Sequence, residues 1–206
     1  MKKMRLVLVV AMLAIVTGAS AQLNLGVKGG VNMSNFYGDE LDDQNVKIGF
    51  HVGLAADYEI AYNSAIQTGL FFTTKGAKYS ESIGDASADF TVNPMYLQLP
   101  VHYAYKLDVT PGTRIVFHAG PYVAYGIGGK SKLSGSLGDW DGETEWDVFG
   151  DDGFKRFDAG LGLGVGAEFG PILLDLGWDM GLVNIADSNS GDIKNQNAYL
   201  SVGYKF

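Results

Sequence analysis

The chain has 206 residues, a formal net charge of −8 and no cysteine. Without cysteine it forms neither disulfides nor thiolate metal sites, and an acidic balance with no basic stripe argues against nucleic acid as a partner. The 29 glycines, 11 tyrosines and 11 phenylalanines, with only 18% charged residues, are unusual for a soluble domain, although the length suits one domain.

The first 21 residues have the pattern of a secretory signal peptide. Three basic residues precede an apolar run, Leu6–Val16, and small residues follow up to Ala21. The run is shorter than the ~20 residues that a membrane-spanning helix needs, so it predicts a leader rather than an anchor. We predict cleavage between Ala21 and Gln22. Loss of the three basic charges takes the net charge from −8 to −11.

Eight later segments alternate apolar residues with polar residues or glycine. In residues 47–60 every even position is apolar, while the odd positions are charged, small or His51. A period of two gives a strand one apolar and one polar face, whereas a helix would scatter both sets around its axis. The eight predicted strands are 23–34, 47–60, 66–75, 95–106, 114–125, 156–169, 172–180 and 197–206.

Three features favour a membrane barrel over a soluble one. The polar face is rich in glycine, the apolar-face aromatics gather near the strand ends, and the connections alternate short and long. The short ones are 61–64, 107–112 and 170–171, and the long ones are 37–46, 77–90, 127–154 and 183–195. We therefore expect residues 22–206 to form one transmembrane, antiparallel, up-and-down barrel of eight strands. Its short turns would face the periplasm and its long loops the exterior.

Several motifs resemble one family. Met95–Val101 is similar to the Tyr-Leu-x-Ile-Pro-Leu motif of the PorT-like outer-membrane β-barrel family of Bacteroidetes, with Gln98 where an acidic residue is frequent. Gly120–Tyr125 and residues 155–162 and 181–185 extend the resemblance over the mature chain. It implies the fold and an outer-membrane location. Family members differ in function: some resemble components of a secretion apparatus and others are regarded as porins.

The C-terminal strand resembles the assembly signal of outer-membrane barrels. Apolar residues occupy alternate positions up to Tyr204 and Phe206. The resemblance implies that the barrel-assembly machinery reads this strand. Outer-membrane lipid is the expected partner of the apolar faces.

The inward faces of the predicted strands carry seven basic and six acidic residues. The bases are Lys28, Lys47, Lys75, Lys106, Arg114, Arg156 and Lys205, and the acids are Asp57, Glu59, Asp158, Glu168, Asp175 and Asp179. An eight-stranded barrel is just wide enough for side chains to fill it, so opposite charges are expected to pair into a polar plug. A narrow path for solutes or ions is the alternative. The predicted lumen network consists of Lys28, His51, Asp57, His102, Arg114, His118, Asp158, Glu168 and Asp175.

All three histidines fall on the polar face. His102 would meet His118 if the paired residue numbers sum to about 220, and such a pair could sense pH. His51 lies on a strand that is not adjacent, so a third metal ligand is missing and we predict no metal site.

The connection 127–154 carries seven acidic residues and three interleaved aromatics, Trp140, Trp146 and Phe149. Asp139, Asp141, Glu143 and Glu145 alternate, so a projecting hairpin would display them on one face; their spacing is not that of an EF-hand. We expect a solvated acidic loop that receives a protein partner through its aromatics.

Catalysis has only weak support. A lipid-modifying barrel would need an activated nucleophile, and serines 131, 134 and 136 with His51 supply residue types but no motif. We therefore predict no catalytic residue and no cofactor. The sequence favours a structural or interaction barrel, with a secretion or surface complex as partner, over a narrow passive channel, and both over a lipid-modifying enzyme.

Overall fold

The computed structural model describes residues 22–38, 45–83, 86–137, 140–149, 153–186 and 191–206, without the side chains of 81–87 and 136–141. The predicted leader, including Ala21, falls outside these ranges, as do Asp139 and the side chain of Asp141. Across the described chain, no helix is long and apolar enough to cross a membrane.

Ten strands make up the described structure. They are β1 (Leu23–Gly38), β2 (Asn45–Ala61), β3 (Ser64–Thr74), β4 (Ala77–Ile83), β5 (Ala86–Thr110), β6 (Thr113–Leu137), β7 (Trp140–Asp147), β8 (Phe157–Phe169), β9 (Ile172–Gly181) and β10 (Ile193–Lys205).

Eight of the strands close into an antiparallel ring in the order β1-β2-β3-β5-β6-β8-β9-β10. The ring closes between β1 and β10, whose register runs from Gly26↔Lys205 to Gly38↔Ile193. Closure leaves no open edge in the ring, so its backbone groups are paired, which an apolar bilayer requires. The predicted eight-stranded barrel is confirmed.

The connections define two ends of the barrel. Tight turns at 62–63, 111–112 and 170–171 lie at one end, together with Gln22 and Phe206; we call this the turn end and the opposite one the loop end. Gly112 and Gly170 adopt positive φ values of 79° and 57°, which glycine reaches without steric cost.

The distribution of residues is the inverse of a soluble protein. Apolar strand residues face outward, and Leu54 and Leu163 are 64% and 55% exposed. Charged and amide side chains point inward and are buried. Exposed aromatics lie near both ends, as an interfacial belt requires: Tyr58, Tyr103, Tyr105, Phe169 and Tyr204 towards the turn end, and Phe50, Tyr125, Phe157 and Trp178 towards the loop end.

Two predicted loops are largely strand instead. Segments 77–90 and 127–154 contain β4, the start of β5, the end of β6 and β7. β5 and β6 have 25 residues each, well beyond the 9–11 that span a bilayer, so they project past the ring. With β4 and β7 they form a four-stranded loop-end extension. The extension is rich in serine, glycine and acidic residues, which are typical of loops. These residues form strands because they pair with other strands, and such pairing is not visible in the local sequence.

Candidate functional site in the barrel lumen

A neutral ionic layer fills the lumen at the turn end. Its members are Asp57, Glu59, Lys106, Arg114, Glu168 and Lys205. Lys106 Nζ lies 2.9 Å from Asp57 Oδ2 and 3.2 Å from Glu168 Oε1. Lys205 Nζ bridges the same two acids at 2.9 and 2.6 Å. Arg114 lies 2.7 Å from Glu168 and 3.4 Å from Glu59, and Glu59 Oε1 also lies 3.5 Å from Lys106 Nζ. Each carboxylate therefore meets at least two cations, which compensates buried charge locally.

The middle of the lumen holds a connected row of polar side chains. Lys28 pairs with Asp175, and His118 Nε2 lies 2.8 Å from Asp175 Oδ1. On its other side His118 Nδ1 lies 3.0 Å from His102 Nδ1. The predicted neighbourhood of the two histidines is thus observed, although the contact is diagonal: His118 lies directly opposite Ala104.

His51 belongs to a separate network. Its Nδ1 lies 2.8 Å from Asn32 Oδ1 and its Nε2 lies 2.8 Å from Ser201 Oγ. The Asn32 amide nitrogen donates to Thr73 Oγ1 and to the carbonyls of Phe50 and Thr74, which fixes its oxygen towards His51. His51 therefore donates from Nδ1 and accepts at Nε2. Sequence reasoning missed these partners because they come from two other strands.

In this contact Ser201 donates to His51, which donates to Asn32. A catalytic serine is activated by the same order of hydrogen bonds, but the surroundings of Ser201 do not suit catalysis. Ser201 is 2% exposed and does not line the lumen cavity, so a substrate carbonyl has no approach to its Oγ. Ser131, a serine considered from sequence, is buried in β6 and makes no hydrogen bond to His51. We assign the contact to packing of the lumen.

A third polar layer lies nearer the loop end. Lys75 Nζ lies 3.2 Å from Asp158 Oδ2, and both side chains are completely buried. The Lys75 ammonium also lies 4.4 Å from the Tyr122 ring centroid, a distance at which cation–π attraction operates. Asn195 Nδ2 donates to Asp158 Oδ2 at 3.0 Å. The sequence predicts a loop at Asn195 and gives no signal for this contact.

An apolar lid, made of Phe36, Val148, Phe149 and Ile185, closes the lumen above this layer. Its side chains are buried in one cluster with Tyr96 and Tyr122, so residues from opposite sides of the ring meet across the opening. The Phe149 ring packs edge-on against Tyr96 with centroids 5.6 Å apart. The expectation that Phe149 is offered to a partner is wrong for this side chain, which is 7% exposed.

Arg156 corrects another expectation. Predicted to face the lumen, it is exposed just before β8, donates to the Gly126 carbonyl at 2.9 Å and lies 5.2 Å from the Phe149 ring. Arg156 therefore contacts the lid from the solvent side.

A cavity of about 100 Å³ lies between the turn-end ionic layer and the lid. Six polar residues that line it are His51, Gln98, His102, Asp175, Asp179 and Asn197. Within the described residues no group of three His, Asp or Glu side chains has the arrangement of a metal site.

Outside the ring, the acidic residues of the loop-end extension are partly neutralised. Lys130 Nζ lies 2.8 Å from Glu145 Oε2, and Lys132 Nζ lies 2.6 Å from Glu143 Oε2. The hydrogen bond from Lys130 holds the pKa of Glu145 below its usual value. Glu143 and Glu145 do share one face, as predicted, but that face also presents lysines of β6. Trp146 remains 44% exposed and stacks on Phe90, with ring centroids 5.8 Å apart.

Solved structures similar to this chain include three outer-membrane barrels. Ail, the attachment invasion locus protein of Yersinia pestis, solved with the heparin analogue sucrose octasulfate, shares 19% identity at a TM-score of 0.43, covering 90% of this chain and 99% of that chain. Neisserial surface protein A shares 16% at 0.45, covering 88% and 97%. The N-terminal barrel of Pseudomonas aeruginosa OprF shares 14% at 0.34, again covering 88% and 97%.

No curated protein sequence is significantly similar to this chain. The profile of the outer membrane protein beta-barrel domain matches residues 18–187. This match covers most of the chain, and it agrees with a closed eight-stranded ring that is apolar outside and polar inside. The protein is therefore a barrel of the bacterial outer membrane and belongs to the outer membrane protein beta-barrel domain family.

Proposed function

We propose that this protein is a non-conducting outer-membrane barrel whose loop end binds another protein. The observation that carries the proposal is the filled lumen: three polar layers occupy it and the apolar lid covers its loop end. The export signal, the PorT-like relationship, recognition of Tyr204 and Phe206 by the assembly machinery, and the absence of catalysis belong to the same proposal.

The alternative of a narrow channel is disfavoured by what a solute would have to displace. It would separate Lys75 from Asp158 and lift Phe149 from Tyr96. Breaking a buried ion pair by removing one partner costs about 3–5 kcal/mol, which indicates the scale of the barrier.

Charge distribution supports an interaction at the loop end. Segments 37–46, 77–93, 127–156 and 182–196 contain 16 acidic and six basic residues, which gives −10 of the −11 expected for the mature chain. The rest of the barrel is therefore nearly neutral. A surface of this sign attracts a positively charged partner over about the Debye length of 8 Å at physiological salt.

Exposed apolar side chains on the extension supply a second element of recognition. Leu133 and Trp146 are both large, exposed and placed beyond the ring. Tryptophan is enriched among residues that dominate binding energy at interfaces. We therefore expect a basic protein surface with an apolar contact for Trp146.

The test is co-purification from native outer membranes after mild chemical crosslinking. We compare the wild-type protein with Trp146→Lys and with Tyr62→Lys, a matched change of an exposed aromatic at the opposite end. The proposal expects a partner that is retained by wild type and Tyr62→Lys and lost with Trp146→Lys. Without crosslinking, raised salt should release it. Retention by all three proteins, or equal loss from both variants, would argue against loop-end binding.

A further inference from the structure

Three buried polar atoms in the middle of the lumen have no hydrogen-bond partner among the described residues. They are Gln98 Oε1, His102 Nε2 and Asn197 Oδ1. Their side chains are only 8%, 5% and 3% exposed, and all three residues line the cavity. Because an unpaired buried polar atom is unfavourable, the cavity is suited to a ligand that satisfies these atoms.

The hydrogen-bond network makes two of these atoms acceptors. His118 Nε2 donates to the Asp175 carboxylate, so the Nδ1 of a neutral His118 accepts from His102 Nδ1. A neutral His102 then directs the lone pair of its Nε2 into the cavity. The Gln98 amide N–H donates a hydrogen bond to Asp179 Oδ2 at 2.9 Å, which leaves Gln98 Oε1 as an acceptor. The ligand must therefore be a donor or a cation.

In its ionised form, Asp179 supplies an uncompensated negative charge at the same place. It is 3% exposed and has no cation within 4.0 Å in the described part of the chain. Two other lumen acids, Asp175 and Asp158, are paired with Lys28 and Lys75. A buried carboxylate without a counter-ion is costly, so a positive ligand is favoured over water.

Lys47 is not the counter-ion of Asp179. Like Arg156, it is a base predicted on the inward face that forms no ion pair within the described chain. It is partly exposed and lies opposite Ser34 near the loop end, in the register of β1 and β2.

Gly162 opens the space between the two groups. A Cβ atom there would lie 2.6 Å from Asp179 Oδ1 and 2.8 Å from His102 Nε2, so both atoms face the volume above this glycine. His102 and Asp179 do not form an ion pair with each other within 4.0 Å. The gap is too wide for direct contact, and any side chain at position 162 would fill it.

We propose that this space binds a monovalent cation of ammonium or potassium size. One carboxylate balances one positive charge, whereas a divalent ion would leave a buried excess. Four residues that line the cavity supply acceptors, namely Gln98, His102, Asp179 and Asn197, and ammonium has four N–H donors. The cavity extends to Asp57 and Glu168 of the turn-end layer, while the lid closes the other side. Because the lid closes the loop-end side, the bound ion does not cross the barrel.

The test uses the full refolded barrel in detergent. Its thermal unfolding midpoint is measured in equal concentrations of ammonium, potassium and N-methyl-D-glucamine chloride, the last cation being too large for the cavity. Site binding predicts a midpoint higher by about 2–4 °C in ammonium and potassium, as expected for a modest ligand stabilisation of a chain of this length. Asp179→Asn should abolish the difference, and Asp108→Asn, the same change on the turn-end surface, should keep it.

Nuclear magnetic resonance of ¹⁵N-ammonium on the wild-type protein gives a second readout that needs no variant. A bound signal with slowed proton exchange, displaced by potassium chloride, is expected. Equal midpoints in the three salts, or a difference that persists in Asp179→Asn, would overturn the proposal. If Asp179→Asn fails to refold, absence of a bound ammonium signal overturns it instead, and the cavity then holds water only.

Discussion

His102 and His118 stack almost parallel inside the barrel, with ring centroids 5.1 Å apart and an interplanar angle of 11°. The contact joins β5 to β6, and through Asp175 it reaches β9 on the far side of β8. The two rings thus tie three strands together across the lumen.

Replacing His118 with leucine should destabilise the barrel. The change leaves His102 Nδ1 without its partner and removes a donor from Asp175, and each unsatisfied buried group costs about 1–3 kcal/mol. Urea unfolding in lipid vesicles measures the effect. Phe117→Leu, at the neighbouring lipid-facing position, is the control and should cost less. Equal losses would mean that the imidazole contacts contribute nothing beyond packing.

Arginine substitutions test which part of the chain lies in lipid. Leu163 and Leu133 are similarly exposed, but Leu163 lies in the middle of ring strand β8 and Leu133 lies in the extension. Leu163→Arg should cost about 2–4 kcal/mol in vesicles because the charge enters the bilayer, whereas Leu133→Arg should be nearly neutral. A comparable cost for the two substitutions would contradict the placement of the extension outside the membrane.

Removing the charge of Asp158 should be severe. Asp158→Asn leaves the Lys75 ammonium buried without a counter-ion, which costs about 3–5 kcal/mol. The double variant Lys75→Met/Asp158→Leu removes both charges and should recover much of the loss. Refolding yield and urea midpoint report both effects. A double variant as unstable as the single one would show that the pair acts through shape rather than charge.

Deleting Phe206 should impair assembly more than stability. The ring is 78% exposed and lies 6.2 Å from that of Tyr204, while the Phe206 N–H donates to the Leu25 carbonyl at 2.8 Å. A side chain with this exposure contributes little packing energy, but the assembly machinery can contact it. Heat-modifiable gel mobility compares membranes from cells with protein refolded in detergent. Equal loss in both settings would make Phe206 a packing residue, and unchanged assembly in cells would end the recognition hypothesis.

Local sequence patterns predict most of the fold. The alternation around Leu54 or Leu163 assigns each residue to a face, because a strand repeats every two residues whatever its neighbours are. Phe149 packs over Gly126 as part of the lid. The sequence does not predict this contact, because it joins residues that are distant along the chain. The alternation places Asp179 on the inward face, but its lack of a counter-ion depends on the arrangement of several strands.

For the ionic lumen, too, local patterns predict which residues face inward but not which residues pair. Lys28 and Asp175 were both expected inside because of their positions in the alternation. Which acid each base meets depends on strand order and register, and these are properties of the closed ring rather than of any one segment. Hence Lys106 and Lys205 share the same two acids, a contact that no single segment indicates.

Single-barrel conductance in a planar bilayer tests the central claim most directly. Protein whose folded state is verified by heat-modifiable mobility is inserted from detergent, and insertion is confirmed by protease accessibility of the loop end. With the lid closed over Lys75 and Asp158, the recording should show no stable openings at physiological salt. Stable openings on the nanosiemens scale would show a continuous water path through the lumen and contradict the account.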